Sequence, residues 1–424
     1  MEYNPHRSEY WDERAFEENM KLAFDVCNGC RLCYNLCPSF PELFQIVESY
    51  DNDAAKVTRQ EMDRVADLCF QCKLCYMKCP YIPPHRYDLD FPRLMLRSKA
   101  LRVKARGLSR SDQFLGNPER VGQMGQMAPG LANWSVKNGG MRRLMERMYG
   151  IDRRRHLPRF APRRFSEWVK RHSAPALPPL EEVDVVLFST CTVEYHEPGI
   201  GQAALEVLRH NNIRAAVPPG QRCCGMPALD GGDMEGAIRR AKENVDILAP
   251  YARAGKTILA LQPTCALLIK QDYPTLVPGE EAQMVARQTQ DLTQYLADQM
   301  KRGALKKSFV ASPGPVTYHL SCHTKAQGIR RAAKDLLESI DGCQVEMVDR
   351  CAGIDGTWGL KAQYYDEAIK VSAKLTERFQ ARHDTAACSD CALAGLQIET
   401  VTDAPPVHPV QLLAKAYGLE GGAS

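Results

Sequence analysis

Two cysteine runs near the start of the chain constrain its fold more than any other feature. The first reads CNGCRLCYNLCP and the second CFQCKLCYMKCP, and both follow the spacing C-x2-C-x2-C-x3-C-P. Three closely spaced thiolates wrap one iron–sulfur cube, and the fourth cysteine of such a run ligates the cube of the other run. The spacing therefore predicts two [4Fe–4S] clusters with the ligand sets Cys27, Cys30, Cys33, Cys79 and Cys69, Cys72, Cys75, Cys37.

Zinc is the alternative metal for these runs, but structural zinc sites favour two separated C-x2-C pairs. The segment between the runs, residues 38–68, has apolar residues spaced three and four apart, which predicts helices. We therefore expect residues 1–92 to form a helical two-cluster ferredoxin-type domain. Such a domain carries electrons and has no substrate chemistry of its own.

The number of cysteines also bears on the cellular compartment. The chain has 17 cysteines in 424 residues, whereas disulfide scaffolds are usually short secreted proteins. Residues 1–20 are charged and lack the apolar core of a signal peptide. No apolar run approaches the roughly 20 residues that cross a bilayer. We expect reduced, metal-bound cysteines in a cytoplasmic protein, either free or peripheral on the inner face of the cell membrane.

The C-terminal half contains an internal repeat. Cysteines recur at offsets of 131, 128 and 126 residues, from Cys191 to Cys322, from Cys223 to Cys351 and from Cys265 to Cys391. Short β-rich runs alternate with helical stretches in both copies, which predicts βαβ units and parallel sheets. The cysteines follow the predicted strands, so the carboxyl edges of the sheets should bring them together.

This cysteine pattern resembles the CCG cysteine-rich module. The module occurs in the B subunit of heterodisulfide reductase and in the C subunit of anaerobic glycerol-3-phosphate dehydrogenase, and the domain order here is similar to the latter. The resemblance implies a mixed fold, with the helical two-[4Fe–4S] ferredoxin-type domain followed by two duplicated α/β CCG modules with parallel sheets. We place a basic connecting segment at 93–180, CCG module 1 at 181–310 and CCG module 2 at 311–424.

The two copies differ in their cysteines. Module 1 keeps four of the five cysteines of the full module and has Leu268 at the last place. It is expected to hold a further iron–sulfur cluster through Cys191, Cys223, Cys224 and Cys265. Module 2 has Ala352 and Ala394 at cysteine places, so an incomplete cluster or another metal is expected there. Its candidate ligands are Cys322, Cys351, Cys388 and Cys391.

Other residues near these sites are assigned structural roles. Cys343 is expected in the core, because free cysteine packs as a small hydrophobe. His196 and His319 lie beside the cysteines and are interpreted as hydrogen-bond partners rather than ligands. His323 is a candidate nitrogen ligand of module 2, although the interpretation without ligation is favoured. Three methionines recur at helical spacing and are expected in the core: Met141, Met145 and Met148.

The connecting segment is strongly basic. Between Arg93 and Ala174 there are 20 Lys or Arg and 5 Asp or Glu, so the rest of the chain is acidic. The segment could dock between the acidic halves, contact a partner, or lie on an anionic membrane surface. Its aromatic residues are sparse and it has no recognised nucleic-acid motif, so no nucleic acid is expected.

The resemblance implies an iron–sulfur electron-transfer subunit rather than a self-sufficient enzyme. It would take electrons from a flavin-dependent dehydrogenase or another redox partner and pass them to an acceptor such as membrane quinone. Consistent with this, no G-x-G-x-x-G nucleotide fingerprint follows a predicted strand. Two alternatives stay open: a heterodisulfide- or peroxide-linked reductase that uses the CCG-bound metal as its reactive site, and a non-redox zinc scaffold.

Overall fold

The first domain and the connecting segment are built from helices. The computed structural model describes residues 1–172, 178–354 and 356–419. Residues 173–177 of the connecting segment, and 355 and 420–424 of module 2, lie outside the described residues. Short 3-10 turns add to these helices at Ser8–Trp11 and Ala54–Lys56. The helices are α1 (Glu13–Cys30), α2 (Ser39–Ser49), α3 (Arg59–Asp67), α4 (Leu74–Lys78), α5 (Phe91–Arg106), α6 (Arg110–Leu115), α7 (Pro118–Met127), α8 (Pro129–Lys137), α9 (Gly139–Tyr149) and α10 (Phe165–His172).

Helices α2 and α3 confirm the helical prediction for the segment between the cysteine runs. A capping box starts α3: the Thr58 side chain accepts from the Glu61 N–H, and the Glu61 carboxylate accepts from the Thr58 N–H. Apolar residues of α2 pack on α1 and α5 in one buried cluster, with Phe40 and Phe91 stacked at 4.7 Å. This small core supports both cysteine runs.

Module 1 contains a parallel sheet of four strands in the order β2-β1-β3-β4. After a 3-10 turn at Leu180–Glu182, its elements are β1 (Val185–Phe188), α11 (Cys191–Tyr195), α12 (Pro198–His210), β2 (Ala215–Ala216), α13 (Met226–Asp230), α14 (Met234–Arg253), β3 (Thr257–Ala260), α15 (Pro263–Gln271), α16 (Tyr273–Leu276), α17 (Glu280–Gln288), β4 (Thr289–Asp291) and α18 (Leu292–Lys301).

Module 2 contains a parallel sheet of three strands in the order β6-β5-β7. Two 3-10 turns, Trp358–Leu360 and Ala362–Tyr364, precede its long helix. The remaining elements are β5 (Pro315–His319), α19 (Cys322–Ala326), α20 (Ala332–Leu337), β6 (Gln344–Val348), α21 (Tyr365–Gln380), β7 (Ala386–Ser389), α22 (Ala392–Thr402) and α23 (Pro409–Ala416). The predicted mixed fold with parallel sheets is confirmed.

The sheets position the cysteines of both modules. Strand β1 pairs in parallel with β2 and β3, and β5 pairs in parallel with β6 and β7. Cys191 and Cys322 begin the short helices that follow β1 and β5. The other module cysteines lie in the loops or helix starts after the neighbouring strands, apart from Cys388 within β7 and Cys343 just before β6. Each module therefore presents most of its thiols at the carboxyl edge of its sheet.

The two modules share one hydrophobic core. Leu187 of β1 and Tyr318 of β5 belong to the same buried cluster, and helices α12 and α18 of module 1 pack on α23 and α20 of module 2. Cys343 lies in this cluster at 6% exposure, which confirms its predicted core position.

The first helix of the connecting segment is internal. The guanidinium of Arg97 is fully buried and donates to the carbonyls of Glu9, Tyr10 and Asp12. Lys99 on the same helix forms a buried ion pair with Asp230 of module 1 at 3.0 Å. Helix α5 therefore docks between the first domain and module 1, as the internal alternative predicted. Within the described residues, no helix has the length and apolar content needed to cross a membrane.

Candidate metal centres

The first thiol set combines both cysteine runs. It comprises Cys27, Cys30, Cys33 and Cys79, and α1 delivers Cys27 and Cys30 on its last turn. Arg31 then adopts φ 54° and turns the chain back toward Cys33. Burial and the neighbouring thiols of Cys33, Cys79 and Cys30 raise the pKa of Cys27. Burial and neighbouring thiols likewise raise the pKa of Cys33 to about 11.

The second thiol set has the reciprocal composition. It comprises Cys37, Cys69, Cys72 and Cys75, and burial together with the other three thiols raises the pKa of Cys75. Gln71 and Lys73 adopt φ 55° and 58°, which folds the loop around these side chains. The Gln71 amide donates to the Cys69 sulfur at 3.3 Å. The last cysteine of each run thus lies beside the other run, and the assignment of all eight as ligands stays a prediction.

Module 1 brings its four cysteines together in one group, in which Cys191 is partly exposed and the other three are buried. Cys191 hydrogen-bonds Cys223, and Cys224 hydrogen-bonds both Cys223 and Cys265. The hydrogen bonds from Cys191 and Cys224 lower the pKa of Cys223, whereas hydrogen bonding and burial raise those of Cys191 and Cys224. The four thiols therefore lie close together, as a shared set of cluster ligands requires.

Glu119 on α7 is a residue of this site that the sequence did not reveal. Its carboxylate accepts from the Cys223 N–H at 2.7 Å and from Arg240 at 3.2 Å. Glu119 lies 104 residues before Cys223, and nothing in its own sequence surroundings marks it as part of a metal site. It ties the connecting segment to the loop that carries the CC pair.

Module 2 brings three thiols to one small cavity. The cavity has a volume of about 40 Å³, and its walls include Cys322, Cys351 and Cys391. Ala352 and Ala394, which stand where the full module has cysteines, lie on the same walls. In module 1, Cys224 follows Cys223 and supplies a second sulfur. In module 2, Ala352 follows Cys351, and the cavity lies beside this alanine.

Cys388 lies apart from those three thiols. It is fully buried on β7, in the core shared by the modules, where Cys343 is its neighbouring thiol. Burial and the nearby Asp390 raise the pKa of Cys388. The structure therefore brings together Cys322, Cys351 and Cys391, and it does not bring Cys388 to them.

The histidines make hydrogen bonds, as predicted. His196 contacts the Arg159 carbonyl at 3.0 Å, and His319 contacts Ser389 and the Arg350 carbonyl at 3.3 and 3.0 Å. Both ring nitrogens of His323 are also engaged.

His323 marks a junction between three parts of the chain. It lies next to Cys322 of module 2, its Nε2 bonds the Gln71 carbonyl at 3.0 Å, and its Nδ1 bonds the Thr264 hydroxyl at 2.7 Å. Gln71 belongs to the second thiol set's loop, and Thr264 precedes Cys265 of module 1. Burial lowers the pKa of His323 to about 4, so the ring is neutral at neutral pH. Nε2 then donates to the carbonyl, and Nδ1 accepts from the hydroxyl.

An aromatic pair covers the same junction. Phe70 lies on the wall of the module 2 cavity, and its ring centroid is 5.2 Å from that of Trp358. The Trp358 indole donates to the Asp67 carbonyl at 2.9 Å. Cys72 is buried with these two rings, and Cys37, Cys322 and Cys351 border them. The second thiol set and module 2 are thus separated by little more than these side chains.

The donor sets fit iron–sulfur groups. Thiolates are the usual ligands of iron–sulfur clusters, and a set of four can hold one cube. Three such sets of four are present, and the fourth set has three thiols. Among the described residues, no three His, Cys, Asp or Glu side chains are positioned to hold a single metal ion. When bound, iron–sulfur clusters supply one-electron transfer.

Two family models match the chain. Residues 20–105 match the Citrate utilization protein B Fer4-like domain, and residues 185–270 and 316–398 each match the CCG cysteine-rich domain. The first match covers both N-terminal thiol sets, and the other two cover the repeated modules. The chain is therefore an iron–sulfur protein with ferredoxin-like and CCG domains.

The chain is also similar in sequence to individual curated proteins. The chain is 26% identical over 306 residues to the C subunit of anaerobic glycerol-3-phosphate dehydrogenase from Escherichia coli (strain K12), a match that covers 71% of this chain and 76% of the relative. It is 30% identical over 216 residues to lactate utilization protein A 2 of Bacillus mycoides (strain KBAB4), a match that covers 49% of this chain and 87% of the relative. The chain belongs to the family of CCG-domain iron–sulfur electron-transfer proteins that contains these relatives.

Proposed function

We propose that this protein is the electron-transfer subunit of an oxidoreductase complex. It takes electrons from a flavin-dependent dehydrogenase, similar to a glycerol-3-phosphate dehydrogenase, or from another redox partner, and passes them to an acceptor such as membrane quinone. The proposed ligands are the two N-terminal thiol sets, the four cysteines of module 1 and the three-thiol set of module 2. The proposed domains are residues 1–92, 93–180, 181–310 and 311–424.

The junction around His323 carries this proposal. Its hydrogen bonds link the loop of the second thiol set, the Cys265 loop of module 1 and the Cys322 loop of module 2. A relay needs its sites held in a fixed order with small gaps, and a neutral, fully bonded histidine is suited to holding three loops in place. The relatives named as a dehydrogenase subunit and as lactate utilization proteins support a redox partner for this chain as well.

Cluster counting on anaerobically purified protein tests the proposal. We expect iron and acid-labile sulfide, and electron paramagnetic resonance (EPR) during a redox titration should resolve two signals from residues 27–79 and at least one from module 1. Zinc without iron would support the scaffold alternative instead. Dehydrogenase activity of the isolated, reconstituted chain would contradict a role limited to electron transfer, and an anaerobic pull-down should recover a flavoprotein.

Each N-terminal thiol set takes its fourth cysteine from the other run, and this crosswise composition allows a sharper experiment. Cys37→Ser should perturb the same EPR signal as Cys75→Ser, although Cys37 lies in the other cysteine run. Cys79→Ser should instead perturb the signal that responds to Cys33→Ser. Cys343→Ala is the matched control, since this thiol lies in the hydrophobic core away from the sets, and it should leave the iron content unchanged. The crosswise assignment would be wrong if Cys37→Ser and Cys33→Ser both altered one EPR signal and left the other unchanged.

The module 2 cavity favours a second candidate function. Three thiols and two alanines surround a small space, so a metal group held there would keep a position free of protein sulfur. Such a position could act on a disulfide or a peroxide, which would make the chain a reductase. Cys351→Ser should then abolish turnover with these substrates and spare the N-terminal EPR signals. Unchanged turnover in that variant would exclude the reductase.

A further inference from the structure

Helices α7, α8 and α9 expose large apolar side chains. Each helix exposes a pair spaced three or four residues apart, so each pair lies on one side of its helix. The exposed fractions run from 44% for Met148 to 86% for Met127. The prediction that Met141, Met145 and Met148 lie in the core is wrong, because the first two are only partly buried and Met148 is exposed. The three pairs are Met124 and Met127, Leu131 and Trp134, and Leu144 and Met148.

A cavity of about 560 Å³ lies beside α8 and α9, and we call it the basic cavity. Residues 153–159 form its other wall, and Glu399 is its single acidic lining residue among those the structure describes. Its lining also includes His156 and seven Lys or Arg side chains, which are Lys137, Arg142, Arg143, Arg153, Arg154, Arg155 and Arg159. The basic cavity is therefore strongly cationic.

Several of these cations have structural partners. Arg142 is buried and donates to the carbonyls of Asp152 and Arg155. Arg154 pairs with Asp152 at 2.9 Å, and Arg159 pairs with Glu399 at 3.3 Å. These contacts hold the wall in place and do not neutralise the whole cavity.

Lys137 and Arg143 also line the basic cavity, and they differ from these cations. Both are exposed, and neither forms an ion pair with another residue that the structure describes. Lys137 ends α8, the helix that carries Trp134, and Arg143 lies on the second turn of α9, the helix that carries Leu144. Positive charge and exposed apolar side chains thus occur on the same helical hairpin, which is formed by α8 and α9.

We propose that this hairpin docks on a bilayer of anionic phospholipid, with one phosphate head group in the basic cavity. Cations attract the anionic surface, and the apolar side chains enter the boundary between head groups and acyl chains. Tryptophan favours that boundary. A soluble phosphate ester would explain the cations and leave the exposed apolar side chains of α8 and α9 unexplained. The inference rests on the membrane acceptor proposed above and names the lipid chemistry of that contact.

Vesicle sedimentation tests the proposal with the full chain, purified anaerobically. The protein should bind vesicles made of equal parts phosphatidylglycerol and phosphatidylcholine and stay in solution with phosphatidylcholine alone. Lys137→Gln with Arg143→Gln should weaken binding to the anionic vesicles about 30-fold, which corresponds to about 1 kcal/mol for each cation. Leu131→Ser with Trp134→Ser should weaken it also, because the inserted apolar area is lost.

Lys242→Gln with Lys374→Gln is the matched control. These lysines are exposed on α14 and α21 and make no ion pair with the described residues. The control carries the same charge change and should bind as the parent does. Equal weakening in the control, or equal binding to both vesicle types, would overturn the head-group site.

Inorganic phosphate serves as the soluble probe. Binding of phosphate that is lost in the Lys137 and Arg143 variant, together with no binding to anionic vesicles, would assign the cavity to a soluble anion and overturn the proposal. Electron transfer to a soluble dye should be equal in all these variants. A failure of vesicle binding is thereby distinguished from a failure of the electron-transfer function, which would appear as a lost EPR signal.

Discussion

At the residue scale, polar contacts in the interior decide how the cysteine loops are held. His323 is the clearest example, because its two hydrogen bonds reach two other parts of the chain. A buried donor or acceptor left without its partner costs about 1–3 kcal/mol. The histidine therefore matters for the position of the loops as well as for stability.

Replacing His323 with Ala should lower the free energy of unfolding by about 2–3 kcal/mol, because the Gln71 carbonyl and the Thr264 hydroxyl both lose their partner. It should also shift or broaden the EPR signal of the second thiol set. His383→Ala is the control, since His383 is exposed and should change stability by less than about 0.5 kcal/mol. An unaltered EPR signal in His323→Ala would argue against a positioning role.

His408 predicts a dependence on pH. It is 3% exposed, and its Nδ1 accepts from the Val410 N–H at 3.2 Å to start α23. Burial lowers the pKa of His408 from its ordinary value of 6.5 to about 3. Between pH 6.5 and about pH 3, His408 is therefore protonated in the unfolded chain and neutral in the folded chain. The contribution of the neutral histidine to the free energy of unfolding is present at neutral pH and is lost as the pH falls.

His408→Asn should keep a capping side chain and remove this titration. Between pH 7 and pH 5, the parent should lose about 2 kcal/mol more of its unfolding free energy than the variant does. Urea unfolding at the two pH values measures the difference. Equal losses in both proteins would show that His408 does not remain neutral in the folded chain.

At the element scale, close packing fixes the connecting segment on module 1. A Cβ on Gly122 would lie 2.4 Å from the ring of Tyr195 in module 1. One on Gly125 would lie 2.3 Å from the ring of Phe160, which belongs to the connecting segment itself. Only glycine allows α7 to approach so closely. This approach places Glu119, three residues before Gly122, at the Cys223 loop.

Gly122→Ala should destabilise the protein by about 1–3 kcal/mol, since the added methyl displaces a buried ring. It should also loosen the Glu119 contact and lower the iron retained by module 1. Gly130→Ala on α8 is the control, because nothing lies within 4 Å of its added Cβ. Helix propensity makes that change neutral or slightly stabilising, and a loss of iron in the control would contradict the close-packing argument.

The same elements show what can be predicted from sequence. Strands, helices and cysteine loops follow from local periodicity and spacing, so the parallel sheets and the linker helices are predicted correctly. The internal position of α5 could not be chosen over an exposed one from the sequence. A basic helix has the same sequence pattern whether an acidic residue such as Asp230 neutralises it or solvent surrounds it. Glu119 could not be found, since only the packing of α7 brings it to Cys223. The separation of Cys388 from Cys391 depends on strand register, which spacing alone does not give.

At the scale of the whole molecule, buried ion pairs join the parts of the chain. Asp272 of module 1 accepts from Lys73 in the second thiol set's loop and from Arg93 on α5. Burial opposes the charge of Asp272, and the two cations still hold the pKa of its carboxyl below the usual value. The first domain and module 1 should therefore unfold together.

Asp272→Asn should cost about 3–5 kcal/mol, because Lys73 is left as an uncompensated buried charge. We expect the single urea transition of the parent to separate, with iron–sulfur absorption lost before the helical circular dichroism signal. Asp246→Asn, at an exposed position of α14, should keep one transition. One unchanged transition in Asp272→Asn would mean that the ion pairs do not couple the two parts.

The burial of the thiols at the junction has a consequence for how the protein is made in the cell. Cys69, Cys72, Cys223, Cys224 and Cys265 are between 2% and 7% exposed, so a delivery protein has no access to them once the domains have docked. Any cluster held by these thiols would therefore have to be inserted while the domains are still apart. We therefore expect maturation to follow a fixed order, in which iron and sulfide are inserted before the domains dock.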